Sequence, residues 1–295
     1  MKGLLIAGAA AAAAMVPASG WAQTASQIPQ HPAMLTPHGP VVAFAIFNWL
    51  LTLLVVVLLV REALRTRSLF PIAFLVGGCL AGFVEPVFDG NIHVWFAQPP
   101  GDTPGWHFYN VPYPWYVIPG NAVLGGPVYW MYYKFQRGIS AGGLWIYFFV
   151  WWAADVFQEI PGTTMAAYAY YGPQPFVISG YPVWIGMMAG LGLPLAGYAA
   201  YRLRDVASGV RLWWMQVILM PVVIYGCEVI TWPMWDTLNG GQTVGVACIA
   251  ALVSLGFTVC AYEFLVLAYG KAQTAKAGTG ATEAPKMPAA GYAVR

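Results

Sequence analysis

Seven of the eleven acidic side chains of this 295-residue chain, Glu85, Asp89, Asp102, Asp155, Glu159, Glu228 and Asp236, lie on stretches that carry no Lys or Arg. Two pairs are spaced i, i+4: Glu85 with Asp89, and Asp155 with Glu159. On a helix that spacing stacks two carboxyls one turn apart on a single face. Like charges so placed repel, and a carboxylate withdrawn from water without a partner is costly, so neither pair exists to stabilise a helix. The sequence puts Glu85, Asp89, Asp155, Glu159 and Glu228 near helix C-termini, the unfavourable end of the macrodipole for an anion. Pro86 and Pro161 end the first two of these helices. Bulk solvent, protonation, a bound cation, or hydrogen bonds from Tyr, Trp, Asn and Gln of neighbouring loops can offset these terms.

Asp89, Asp102 and Asp236, at or beyond the helix ends, read as acids at a water interface. Asp155 follows Trp151-Trp152-Ala153-Ala154 and Glu228 follows Tyr225-Gly226-Cys227, so both sit inside apolar runs. An acid in such a run faces a bundle interior and is a functional candidate. Carboxyls gathered in a dry pocket can divide the roles of proton donor and proton acceptor. The catalytic candidates are therefore Glu85, Asp89, Asp155, Glu159 and Glu228.

The elements that must position them are membrane helices. Hydrophobic residues make up 59% of the chain, charged residues only 8%, and the mean hydropathy is +0.63, which leaves too few charges for the polar shell of a soluble fold of this size. Charge-free apolar windows predict an all-α, polytopic bundle of seven spans, at about 40–60, 70–88, 114–133, 141–159, 182–201, 212–232 and 243–267. Arg61, Arg65 and Arg67 follow the first span, Lys134 and Arg137 the third, Arg202, Arg204 and Arg211 the fifth, and Lys271, Lys276, Lys286 and Arg295 the seventh. With Lys2 these are all 13 basic residues. The positive-inside rule then puts the mature N-terminus outside, the C-terminus in the cytoplasm, and the acids toward the periplasmic face of a bacterial plasma membrane.

Lys2, the apolar run Leu4 to Val16, Pro17 and Gly20-Trp21-Ala22 read as a signal peptide over 1–22, too short to span a bilayer. Residues 23–39 read as an exposed lead-in, 40–270 as the transmembrane domain, and 271–295 as a disordered tail.

Other chemistry is poorly supported. No GxxxxGK[ST] or GxGxxG motif is present, nor any HxxxH, HxxE or ExxH pairing among His31, His38, His93 and His107. No cofactor and no metal is implied. The four cysteines lie in apolar runs without CxxC, which argues against a disulfide scaffold. A net charge of +2 without a basic stripe excludes a nucleic-acid partner. The partners that fit are membrane lipids and a lipophilic small molecule.

The stretch Trp152 to Trp184, with Asp155, Glu159-Ile160-Pro161-Gly162, Tyr170-Tyr171-Gly172 and Gln174-Pro175-Phe176, resembles the AveC-like spirocyclase family of multi-pass membrane proteins, as does Gly77-Gly78 through Glu85-Pro86-Val87-Phe88-Asp89. The likeness spans roughly residues 77–190. It implies spiroketal-type cyclisation of a polyketide-, terpenoid- or lipid-like substrate, with Glu159 or Glu85 as general acid and Asp155 or Asp89 as its ionised partner. Trp151, Tyr170, Tyr171, Gln174 and Trp184 would then line or hydrogen-bond the substrate. A non-enzymatic lipid-binding or proton- or cation-coupled transport component, and a structural subunit of a membrane complex, are the competing readings.

Overall fold

The computed structural model describes residues 29–34, 36–98, 106–108 and 111–278. The proposed signal peptide, Asp102 and residues 279–295 lie outside them. The fold is mostly helical, with 74% helix and 6% strand. In chain order it runs α1 His38–Thr66, α2 Phe70–Ala81, α3 Glu85–Ile92, β1 Val94–Phe96, β2 Trp106–Phe108, β3 Val111–Tyr113, α4 Val117–Gly120, a 3-10 turn Asn121–Leu124 and α5 Gly125–Gln136. It continues with α6 Ala141–Thr164, β4 Tyr168–Tyr170, β5 Val177–Ile178, β6 Tyr181–Pro182, α7 Gly186–Leu203, α8 Gly209–Glu228, a 3-10 turn Val229–Thr231, α9 Trp232–Asn239 and α10 Val244–Gly278.

Among the described residues three helical stretches are long and apolar enough to cross a membrane, His38–Thr66, Gly209–Asn239 and Val244–Thr274. A fourth forms if α2 and α3, bent by 45°, act as one span. Apolar side chains face outward on α1, where Ile46, Leu50, Leu53 and Leu54 are each more than half exposed. Patches of that kind belong against lipid rather than water.

Helix α7 is the hub. It packs on α5, α6, α8 and α10, and nearly every residue from Gly186 to Ala200 is buried or half-buried. Its glycines make this possible: a Cβ on Gly190 would stand 2.8 Å from the Phe148 carbonyl oxygen, and one on Gly197 2.5 Å from the Met131 Cβ. Small residues let membrane helices approach where dispersion must replace the hydrophobic effect. Helix α10 is fastened by two tyrosines, Tyr262 donating to the Leu144 carbonyl at 2.5 Å and Tyr269 to the Phe135 carbonyl at 3.0 Å. It continues helical to Gly278, so residues 271–278 are not the disordered tail that composition predicts.

Several predicted boundaries change. The window 70–88 is not one helix: it breaks between Ala81 and Glu85, where Gly82 lies so close to Ile118 that a Cβ would sit 2.8 Å from its Cα. Pro86, near the start of α3, lacks the N–H needed to continue the ladder from α2. Pro161, in contrast, does not end α6, which runs on to Thr164. Carbonyls just before it also accept from hydroxyls: Thr164 donates to Ile160 at 2.8 Å and Tyr168 to Glu159 at 3.1 Å. Residues 114–133 begin with the short α4 and a 3-10 turn before α5.

Among the described residues three two-stranded antiparallel ladders form between helices: β1 with β4, β2 with β3, and β5 with β6. In the first, Val94 pairs with Tyr170, Trp95 with Ala169 and Phe96 with Tyr168. The described part of the predicted lead-in is not free in solvent. His31 stacks on Trp95 at 3.6 Å between ring centroids, the Gln98 amide donates to the Met34 carbonyl at 3.0 Å, and buried Thr36 donates to the Ala166 carbonyl at 2.7 Å.

Candidate active site

All five catalytic candidates line one chamber of about 150 Å3. Glu85 and Asp89 reach it from α3, Asp155 and Glu159 from α6, and Glu228 from the end of α8. Strand alternation supplies another wall. Val94 and Phe96 of β1 and Tyr168 and Tyr170 of β4 point into the chamber, because residues two apart on a strand share a face. The helix break gives Glu85 a different setting from the one the sequence predicts: it opens α3, so it stands at the N-terminal, anion-favouring end of a helix dipole. Asp155 and Glu159 lie within α6 rather than at its end, and Asp89, 5% exposed, is not a solvated interface acid. Asp236 is exposed on α9 and takes no part.

Three of the five carboxyls are held by donors. Tyr113 donates to Glu85 Oε2 at 2.5 Å, and the Asn121 amide donates to the same oxygen. Tyr168 and Tyr170 both donate to Glu159 Oε2 at 2.9 Å. Tyr181 donates to Asp155. Tyr225 extends the network by donating to Asn121 Oδ1 at 3.2 Å. Phenols that donate to a carboxylate fix its rotamer and satisfy its lone pairs in a place without bulk water.

Asp89 Oδ2 and Glu228 Oε2 are buried without a hydrogen-bond partner, as is Asn48 Oδ1 on the same chamber. Among the described residues no Lys, Arg or His lines the chamber. Among the described residues the ion pairs lie elsewhere, Arg65 with Glu62 and Arg202 and Arg204 with Asp205. The chamber acids feel one another's charge: Glu228 interacts with Glu85, Asp89 and Asp155, and Glu159 with Asp155 and Glu85. Five anions cannot share so small a volume without protons or a cationic guest to offset them. Among the described residues no group of three or more His, Cys, Asp or Glu is arranged to hold a metal ion.

The predicted substrate-contacting residues divide. Tyr170 lines the chamber, whereas Trp151, Tyr171, Gln174 and Trp184 do not. Gln174 and Trp184 act behind the wall, Gln174 Nε2 donating to the Ile92 carbonyl at 2.7 Å and Trp184 Nε1 to Gln174 Oε1 at 3.4 Å. Tyr171 stacks on His93 at 4.7 Å. Trp151 is half-buried on α6 with its Nε1 unpartnered. Sequence reasoning missed Tyr113, Asn121, Tyr168, Tyr181 and Tyr225, the groups that hold or extend the acid network. Alternation in Val94-Trp95-Phe96 and Tyr168-Ala169-Tyr170 was the one available signal for the ladder that carries Tyr168.

Comparison with known proteins finds no matching family model, no matching curated protein and no matching solved structure.

Proposed function

We propose that the protein is a seven-span membrane enzyme that cyclises or isomerises a lipophilic polyketide-, terpenoid- or lipid-like substrate by carboxylate acid–base catalysis, the reaction type the AveC-like resemblance implies. The observation that carries the reading is the convergence of carboxyls from α3, α6 and α8 on one chamber, three of them oriented by phenol or amide donors. In the proposed orientation the chamber opens toward the periplasmic leaflet, with the N-terminus outside and the C-terminus in the cytoplasm, on the strength of the basic residues that follow alternate spans.

Glu159 or Glu85, protonated, gives its proton to the hemiketal hydroxyl of the substrate. Water leaves, and the carbon passes through an oxocarbenium-like state. A second substrate hydroxyl adds to that carbon while Asp155 or Asp89 takes its proton, so the site ends with the same number of protons it began with. Tyr168 and Tyr170 line the chamber, and aromatic rings can stabilise the positive charge that this reaction develops. A volume of about 150 Å3 holds a reacting head group, and the apolar remainder of the substrate extends between helices.

The test compares lipid extracts of cells lacking the protein with cells carrying the wild type, Asp155→Asn or Glu159→Gln. A product that depends on the wild type and falls by about 100-fold or more in both variants, with membrane insertion unchanged, supports the reading. Full product from both variants removes it. The unpartnered oxygens of Asp89 and Glu228 favour a second reading, a proton- or cation-coupled transport component. That reading requires activity to depend on membrane potential or a pH gradient, whereas the cyclase works in detergent.

A further inference from the structure

The chamber is chemically lopsided, and the imbalance specifies a guest independently of the acid–base reading. Glu85, Asp155 and Glu159 are satisfied by donors of the protein itself, but Asp89 and Glu228 each keep a buried oxygen without one. Both residues are more than nine-tenths buried, at 5% and 7% exposure, and both line the chamber. A buried acceptor left without a donor forfeits its desolvation free energy, so these atoms point to a ligand that carries donors.

We propose that the Asp89 and Glu228 side of the chamber seats the ammonium group of a lipophilic amine. Three features favour an ammonium over the other donors. A hydroxyl brings one hydrogen and no charge, whereas an ammonium brings up to three and a full positive charge into a site with five acids and no base. An inorganic divalent ion needs a tight set of oxygen ligands, and none is arranged among the described residues. Phe88 and Tyr225 line the chamber beside the two acids in sequence, Phe88 preceding Asp89 and Tyr225 one helical turn before Glu228, and aromatic faces attract organic cations. The chamber volume takes the head group while an alkyl chain passes between helices.

The experiment uses the full chain purified in an uncharged maltoside detergent and follows thermal unfolding at constant ionic strength. Octylammonium chloride is titrated against octanol, which has the same chain and no charge, and against sodium chloride. Octylammonium should raise the unfolding temperature saturably, with an affinity about tenfold or more above that of octanol. Asp89→Asn, Glu228→Gln and the double variant should weaken octylammonium by about tenfold or more, while Asp236→Asn, at an exposed acid, leaves it unchanged. If one variant does not fold, the other and the wild-type comparison of the three probes still decide. Equal binding of octanol, full replacement by sodium, or octylammonium binding indifferent to both acids overturns the proposal. Competition by phosphatidylethanolamine identifies a lipid headgroup as the source of the ammonium, and its absence identifies a free amine; both keep the subsite. Failure of the cyclase reading shows separately, as product retained in the Asp155 and Glu159 variants.

Discussion

Tyr181, wholly buried on β6, donates its hydroxyl hydrogen to Asp155 of α6, so the strand that precedes α7 fixes an acid on the helix that α7 packs against. The contact joins the aromatic wall to the face of α6 that carries Asp155 and Glu159. Tyr181→Phe removes one oxygen and keeps the ring. It should destabilise the protein by about 1–3 kcal/mol, because Asp155 is left buried without that donor. Product formation should fall more steeply than stability does, which thermal unfolding and product yield measured on the same preparation will show.

Packing around α7 gives a second prediction. A side chain at Gly197 meets Met131 and the Tyr132 backbone nitrogen, the latter at 2.9 Å from an added Cβ. Backbone cannot yield as a flexible side chain does. Gly197→Leu should therefore cost at least about 1–3 kcal/mol and lower the unfolding temperature. Gly142→Leu, where a Cβ has nothing within 4 Å, should leave that temperature near the wild-type value.

His93 makes stability depend on pH. Its ring is buried against Tyr171, Nε2 lies 3.3 Å from Asn239 Oδ1, and Nδ1 has no partner. Burial pushes its pKa below the ordinary value, against a smaller opposing contribution from Asn239. The unfolded chain thus binds the proton more readily than the folded one. Its contribution to stability is complete above about pH 6.5 and is lost as the pH falls through that value toward the folded pKa. The wild type should lose stability more steeply than His93→Asn between about pH 7.5 and 5.5, asparagine being chosen because it tolerates the left-handed backbone at this position. Equal slopes would show that the histidine contributes nothing.

Orientation is open to reporters. Fusions at Gln174 should report the periplasm and fusions at Thr66 the cytoplasm, and exchanged signals would invert the proposed topology.

Much of this site was legible in the sequence because charge in an apolar run is conspicuous. Glu85, Asp89, Asp155, Glu159 and Glu228 stand out for that reason, and all five meet. What periodicity could not reveal was the backbone between Ala81 and Glu85. An apolar window reads the same whether a helix is whole or broken, and the close approach of Gly82 to Ile118 that accompanies the break joins residues far apart in the chain. The same blindness hid Tyr113 and Tyr181. Tyrosines near span ends fit an interfacial belt equally well, and only tertiary contact distinguishes a belt residue from a carboxyl's donor. Pro161 misled for a related reason: α6 runs past it to Thr164, and whether a proline ends a helix or sits within one depends on packing that the local sequence does not display.

The lacing of His31, Met34 and Thr36 onto Trp95, Gln98 and Ala166 bears on how the protein is made. His31 and Met34 meet their partners once Trp95 and Gln98 emerge, but Thr36 must wait for Ala166, more than a hundred residues later, and Glu228 arrives later still. Until then the nascent chain carries its acids on half-built walls. Assembly of the chamber is therefore a late event in biogenesis, and a chain stalled before α8 would expose those acids to whatever surrounds the unfinished bundle.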